Sequence, residues 1–144
     1  MLTSIRTVFI LIVGCGRVGS SVARAMLREG HEVSCLDEDP ESHARLEVGL
    51  ETEALEAAGI ERADAFIAST DGDNTNVIIA QIAQKRYQVP TVIARVLDPL
   101  RAEWYQRQGL HTVCPTSVAI EMLEGAVRSG AEGGSPPDGA AEAA

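Results

Sequence analysis

Apolar runs alternate with amphipathic stretches along most of this chain, and the alternation sets the elements. Val8-Phe-Ile-Leu-Ile-Val13 is an unbroken, mostly β-branched apolar run, the pattern of a parallel strand buried on both faces. Further strands are predicted at Val33-Ser-Cys-Leu-Asp37, Ala63–Ser69, Thr91–Val96 and His111–Cys114. Between them, Ser20–Glu29 continues as a helix stopped by Gly30, and Asn76–Tyr87 carries Val77, Ile78, Ala80, Ile82 and Ala83 at helical spacing. Asp98-Pro99 opens a helix ended by Gly109, and Thr116 or Ser117 opens a last one running to Val127. The segment between Asp37 and Ala63 reads as two short helices. The first is capped by Asp39 with Pro40 behind it and reaches about Val48; the second is capped by Thr52 and ended by Gly59.

Strands alternating with helices predict an α/β fold, a Rossmann-like doubly wound parallel sheet. One element of that fold is absent from the pattern. The usual third strand should lie between the two short helices, where Val48-Gly49-Leu50 is a poor candidate because glycine weakens a strand interior. Such a strand would stand at the sheet edge, so its loss leaves the core intact. Residues 1–128 are expected to form one domain, and 129–144, made largely of Gly, Ser, Pro, Ala and Glu, a disordered tail.

The first strand runs into Gly14-Cys15-Gly16-Arg17-Val18-Gly19, spaced G-x-G-x-x-G between strand and helix. In that setting Gly14 permits the tight turn, Gly16 lets a pyrophosphate approach the backbone, and Gly19 lets helix and strand pack closely. The amides of the helix's first turn, at the positive end of its dipole, then face an anion. Asp37 closes the next strand near the distance expected of a ribose-diol ligand, and its charge disfavours a 2′-phosphate. NADP is therefore the poorest dinucleotide candidate.

Composition narrows the partners. The net charge is −9 and aromatics make up 3% of the 144 residues, which argues against nucleic acid, since that needs a basic face or stacking platforms. Cys15, Cys35 and Cys114 are odd in number and widely spaced, without a C-x-x-C pair, and are expected to be reduced thiols. His31, His43 and His111 share no metal or triad spacing. No apolar run has the length of a membrane span and the start lacks a signal-peptide layout, so a soluble, cytoplasmic protein is expected.

Taken in order, the Gly14–Gly19 turn, Asp37, Glu56-Ala-Ala-Gly59-Ile-Glu-Arg-Ala-Asp64, Thr70-Asp-Gly-Asp-Asn74-Thr-Asn76, Ile93-Ala-Arg95 and Gly109–Pro115 make a specific set. Over residues 8–128 the chain resembles the RCK/KTN (TrkA N-terminal type) nucleotide-binding domain of potassium uptake regulators. The resemblance implies that the backbone of Cys15 to Val18 faces phosphates and that Asp37 accepts from ribose hydroxyls. Arg17 would contact a terminal phosphate or a neighbouring subunit, or else stand in solvent. Thr70 and Asp71 would line the phosphate or second-ribose side, against a simpler reading as turn and cap residues. Arg95 would reach the ligand from its strand end, against an ion pair with an acid such as Asp98. Asp73 and Asn74 are read as helix caps.

Two departures stand out. The chain is about ten residues short where the family places its third strand and the adenine-side turn after it. The family's frequent second, C-terminal domain is also missing from this sequence. The resemblance implies a cytosolic regulatory subunit, not an enzyme, that binds NAD(H) or ATP/ADP and controls a membrane potassium transporter or channel. Domains of this family pair through their last helices, so Val118–Val127 would join a homodimer or larger ring, with no direct membrane insertion. Two other readings compete: a nicotinamide-dependent oxidoreductase, and a structural subunit that has lost nucleotide binding. The first lacks a recognisable acid–base setting, since Lys85 is the only lysine and no His or Tyr supplies one.

Overall fold

The computed structural model describes residues 6–37 and 48–133. Five strands form one parallel sheet: β1 (Phe9–Val13), β2 (Glu32–Leu36), β3 (Ala65–Ala68), β4 (Thr91–Arg95) and β5 (His111–Val113), in the order β2-β1-β3-β4-β5. The helices are α1 (Arg17–Arg28), α2 (Val48–Ala57), α3 (Asp73–Lys85), α4 (Pro99–Arg107) and α5 (Pro115–Ala131), with a 3-10 turn at Ile60–Arg62. The strand order reverses at β1, which pairs with β2 through Ile12↔Cys35 and with β3 through Ile12↔Ile67. Among the described residues no strand lies between β2 and β3.

Alternation along β1 divides the core. Leu11 and Val13 face one side with Phe66, Leu55, Ile60, Val77, Ala80 and Ala102, so α2, α3 and α4 cover that face. Ile10 and Ile12 face the other, where Ala23 of α1 packs on them with Val22, Met26 and Val33 alongside. This is the doubly wound arrangement, with helices on both faces of a parallel sheet. The α1 side is incompletely covered: Ile67 and Ile93 are only partly buried, and Val113 is 44% exposed. Helix α5 does not close the gap, for none of its residues is buried.

Several local expectations shift. Helix α2 begins at Val48, so Thr52 lies inside the helix instead of capping it, while Val48-Gly49-Leu50, the poor strand candidate, is indeed helical. The expected helix over 40–48 with its Asp39 cap lies mostly outside the described residues. Gly59 does terminate α2, in the left-handed region at φ 97° with its N–H on the Glu56 carbonyl. Helix α3 starts at Asp73, three residues before the expected Asn76. Helix α5 starts at Pro115 behind a Cys114 cap and continues to Ala131, so 129–131 are helical rather than tail.

The α4 cap is as expected. Asp98 accepts from the N–H groups of Leu100 (2.9 Å) and Arg101 (3.4 Å), with Pro99 in the first turn. Asp98→Ala should lower stability by about 1 kcal/mol, read as a melting temperature about 3 °C lower in a calorimetric scan. An unchanged melting temperature would mean that the cap contributes nothing.

Candidate functional site

The carboxyl ends of β2, β1, β3 and β4 bring the sequence-selected residues to one edge of the sheet, at the reversal of strand order between β1 and β3 where open α/β sheets offer a crevice. Gly14 turns the chain away from β1 at φ 95°, its N–H donating to the Leu36 carbonyl (2.8 Å). A Cβ there would lie 2.5 Å from the Ser69 carbonyl carbon and oxygen and the Thr70 nitrogen. Gly14 is thus the point where the glycine turn touches the β3 loop. Ser69 locks the contact from the other side, its hydroxyl donating to the Gly14 carbonyl at 2.7 Å.

Gly19 meets the same carbonyl, with its would-be Cβ 2.0 Å from the Gly14 oxygen. Gly16 differs: nothing lies within 4 Å of a Cβ built there. Packing dictates two of the three glycines, while the middle one leaves open space at the start of α1. That start carries no side-chain cap bond and no acid in its first turn, and Gly16, Arg17 and Val18 are exposed. First-turn amides of a helix have no intrahelical acceptor, so an exposed, acid-free start suits an anion.

Asp37 follows β2 and reaches the glycine turn, its Oδ1 accepting from the Cys15 N–H at 3.4 Å. Burial, followed by the neighbouring Cys35 thiol and the Asp37 carboxylate, pushes the Cys15 thiol up to about 12. Cys15 is therefore protonated at neutral pH.

Across the crevice, Thr70 is buried and turned inward. Its hydroxyl and its N–H both reach Asn76 Oδ1, at 2.6 and 2.9 Å. Thr70 thus shapes the loop instead of offering its hydroxyl to the crevice. Asn76 itself is fully buried, and its Nδ2 donates to the Thr70 and Arg95 carbonyls, both at 3.0 Å. One amide side chain therefore joins the ends of β3 and β4. Arg95 completes the clamp: its Nη2 donates to the Thr70 carbonyl (2.6 Å) and stands 3.6 Å from the Asp71 carboxylate. Asp71 is fully exposed, whereas the Arg95 side chain is only 18% exposed. Among the described residues the Arg95 Nε is buried without an acceptor. Its acidic partner is Asp71, not Asp98, whose carboxylate is committed to α4.

Asp73 and Asn74 do not cap α3. Asp73 accepts from the Leu97 and Asp98 N–H groups (2.8 and 3.2 Å), and Asn74 accepts from Arg101, so both tie the β3–α3 turn to the β4–α4 turn. Sequence reasoning gave Ser69 and Asn76 no role at the site. For Asn76 a signal existed, since it shares a helical stripe with Ala80 and Ala83, both buried.

The model of the TrkA-N domain matches residues 10–116. A Trk system potassium uptake protein TrkA of Streptomyces coelicolor is 44% identical over 134 residues, covering 85% of this chain and 60% of the relative. The chain thus spans about three-fifths of that relative's length. The AMP-bound C-terminal domain of Kef from Shewanella denitrificans superposes with a TM-score of 0.67 at 25% identity, covering 83% of this chain and 80% of that one. The GsuK channel shares the fold at a TM-score of 0.72 and 22% identity, over 88% of this chain and 24% of that one.

Proposed function

This chain belongs to the TrkA-N domain family, and we propose from that premise that it is a regulatory module which binds an adenine nucleotide or NAD(H) and controls potassium transport across a membrane. The observation that carries the reading is the open, acid-free start of α1 at Gly16, with Asp37 drawn to the same turn. A phosphate there accepts from first-turn amides, Arg17 adds a positive charge beside it, and the Asp37 carboxylate accepts from the ribose hydroxyls. The opposite wall is the Thr70–Asp71 turn, held in shape by Arg95 and Asn76. The AMP-bound Kef domain and the potassium uptake name of the Streptomyces relative support the ligand class and the role.

In this reading the module is not an enzyme. It works at the cytoplasmic face of a transporter or channel subunit, as a homodimer or ring joined through α5. Val118, Ile120, Met122, Leu123 and Val127 are 46–73% exposed on that helix, an apolar surface that supports a protein partner. Ligand control requires that the nucleotide bind two assembly states with different affinity.

Calorimetric titration with AMP, ADP, ATP, NAD and NADH tests the reading. At least one should bind more tightly than about 1 mM, the −4 kcal/mol level. Gly16→Ala fills the open space and should weaken that ligand about tenfold, a loss of about 1.4 kcal/mol, with the fold retained. If none of the five binds a folded protein, the chain is instead a structural subunit.

A further inference from the structure

We infer that Cys15 and Cys35 form a reversible disulfide site, which an alkyl or hydrogen peroxide closes and a dithiol reopens. The two residues lie 20 positions apart in sequence, and the fold brings them side by side. The β1–β2 register pairs Cys35 with Ile12, and strand alternation puts Cys35 on the α1 side together with Val33, the side on which Ile12 also lies. The chain leaving β1 then stays against β2 through the Gly14–Leu36 bond and through the Cys15 N–H on Asp37. In this arrangement Cys35 is a neighbour of Cys15, and its thiol helps to push the Cys15 thiol up. Both are free thiols, Cys35 exposed and Cys15 half-buried.

That asymmetry assigns the order of events. Exposed Cys35 meets the peroxide first: its thiolate attacks one peroxide oxygen, the O–O bond breaks, and hydroxide or alkoxide leaves as Cys35 becomes a sulfenic acid. The Cys15 sulfur then attacks the Cys35 sulfur and the S–S bond forms. The sulfenic hydroxyl departs as water, carrying the Cys15 proton. Two thiols are oxidised by two electrons and the peroxide is reduced, to two waters or to water and an alcohol. A dithiol reverses the step by exchange. Protonated and half-buried, Cys15 is a poor first target but a well-placed second one.

The bond would tether the glycine turn to β2 beside Asp37, at the position that the proposed function gives to phosphate and ribose. Oxidation should therefore weaken AMP binding; that consequence, unlike the disulfide itself, rests on the nucleotide reading.

The test uses the full chain carrying Cys114→Ser, which removes the third thiol while keeping an oxygen acceptor at the α5 cap. After one equivalent of hydrogen peroxide, the intact mass should fall by two hydrogens and a non-reduced digest should yield the Cys15–Cys35 linked peptide. Dithiothreitol should restore the mass. Adding Cys35→Ser should abolish the linkage, with unchanged circular dichroism confirming the fold. Stable sulfinic acid, or linkage only between molecules, would overturn the inference. In a parallel AMP titration, oxidised protein should bind at least about tenfold more weakly than reduced protein. If reduced protein does not bind AMP, the nucleotide reading fails while the peptide map still decides the disulfide.

Discussion

Gly19→Ala should cost at least about 3 kcal/mol of stability and lower the melting temperature by roughly 10 °C. The added Cβ would lie 2.0 Å from the Gly14 carbonyl oxygen and 3.0 Å from the Ser69 hydroxyl. The nearest obstacle is backbone, and that backbone is pinned. Gly14 stands at a positive φ, its N–H is bonded to β2, and its carbonyl receives Ser69. Relief would require α1 to lift from the sheet, exposing the packing of Ala23 against Ile10 and Ile12. Urea denaturation should show a lower midpoint with an unchanged slope. Gly16→Ala, with nothing within 4 Å of the new carbon, should cost no more than about 1 kcal/mol, the scale of a helix N-cap change. If the two variants melt together, the division between packing glycine and ligand glycine is wrong.

The second large effect is expected at Asn76. Replacement by Ala removes the partner of the Thr70 N–H and of its hydroxyl, and the donor to the Thr70 and Arg95 carbonyls. All lie in or beside the core, where an orphaned polar group costs about 1–3 kcal/mol. The sum should be about 3 kcal/mol, since the Thr70 carbonyl keeps Arg95 and the hydroxyl lies 3.4 Å from the Gly72 carbonyl. Asn76→Asp discriminates further. It keeps an acceptor for Thr70 but loses both Nδ2 donations, and it buries a carboxylate facing two carbonyl oxygens. Its stability should therefore rise as pH falls toward the carboxylate range, because the neutral acid is the favoured folded form. Urea midpoints at pH 5 and pH 8 check this, and equal midpoints would refute it.

The five strands and the glycine turn were legible because each is written locally. Uninterrupted apolar runs mark parallel strands, and glycines between strand and helix mark the turn. What sequence could not supply were partners set by tertiary register. Asp73 and Asn74 look like caps by local rule, yet their acceptors go to Leu97, Asp98 and Arg101 of the neighbouring turn. Thr52 also looks like a cap, and is overridden because the helix begins upstream at Val48. The meeting of Cys15 with Cys35 depends on which strands pair, and that the spacing of cysteines does not reveal. Arg95 was placed near the site by its strand end, but its choice of Asp71 over Asp98 was decided by α4 claiming the latter.

The capping of α5 has a mechanical side. Cys114 receives the Ser117 N–H on its sulfur at 3.4 Å and gives its own S–H to the Leu97 carbonyl at 3.5 Å. On the other face of that same peptide stretch, the Leu97 N–H is held by Asp73, two residues beyond Asp71. Pulling on the free rod therefore loads a three-link chain of bonds that ends beside the crevice wall. The root of α5 is thus tied through Leu97 to Asp73, so a displacement there is passed to the turn that follows the Thr70–Asp71 wall.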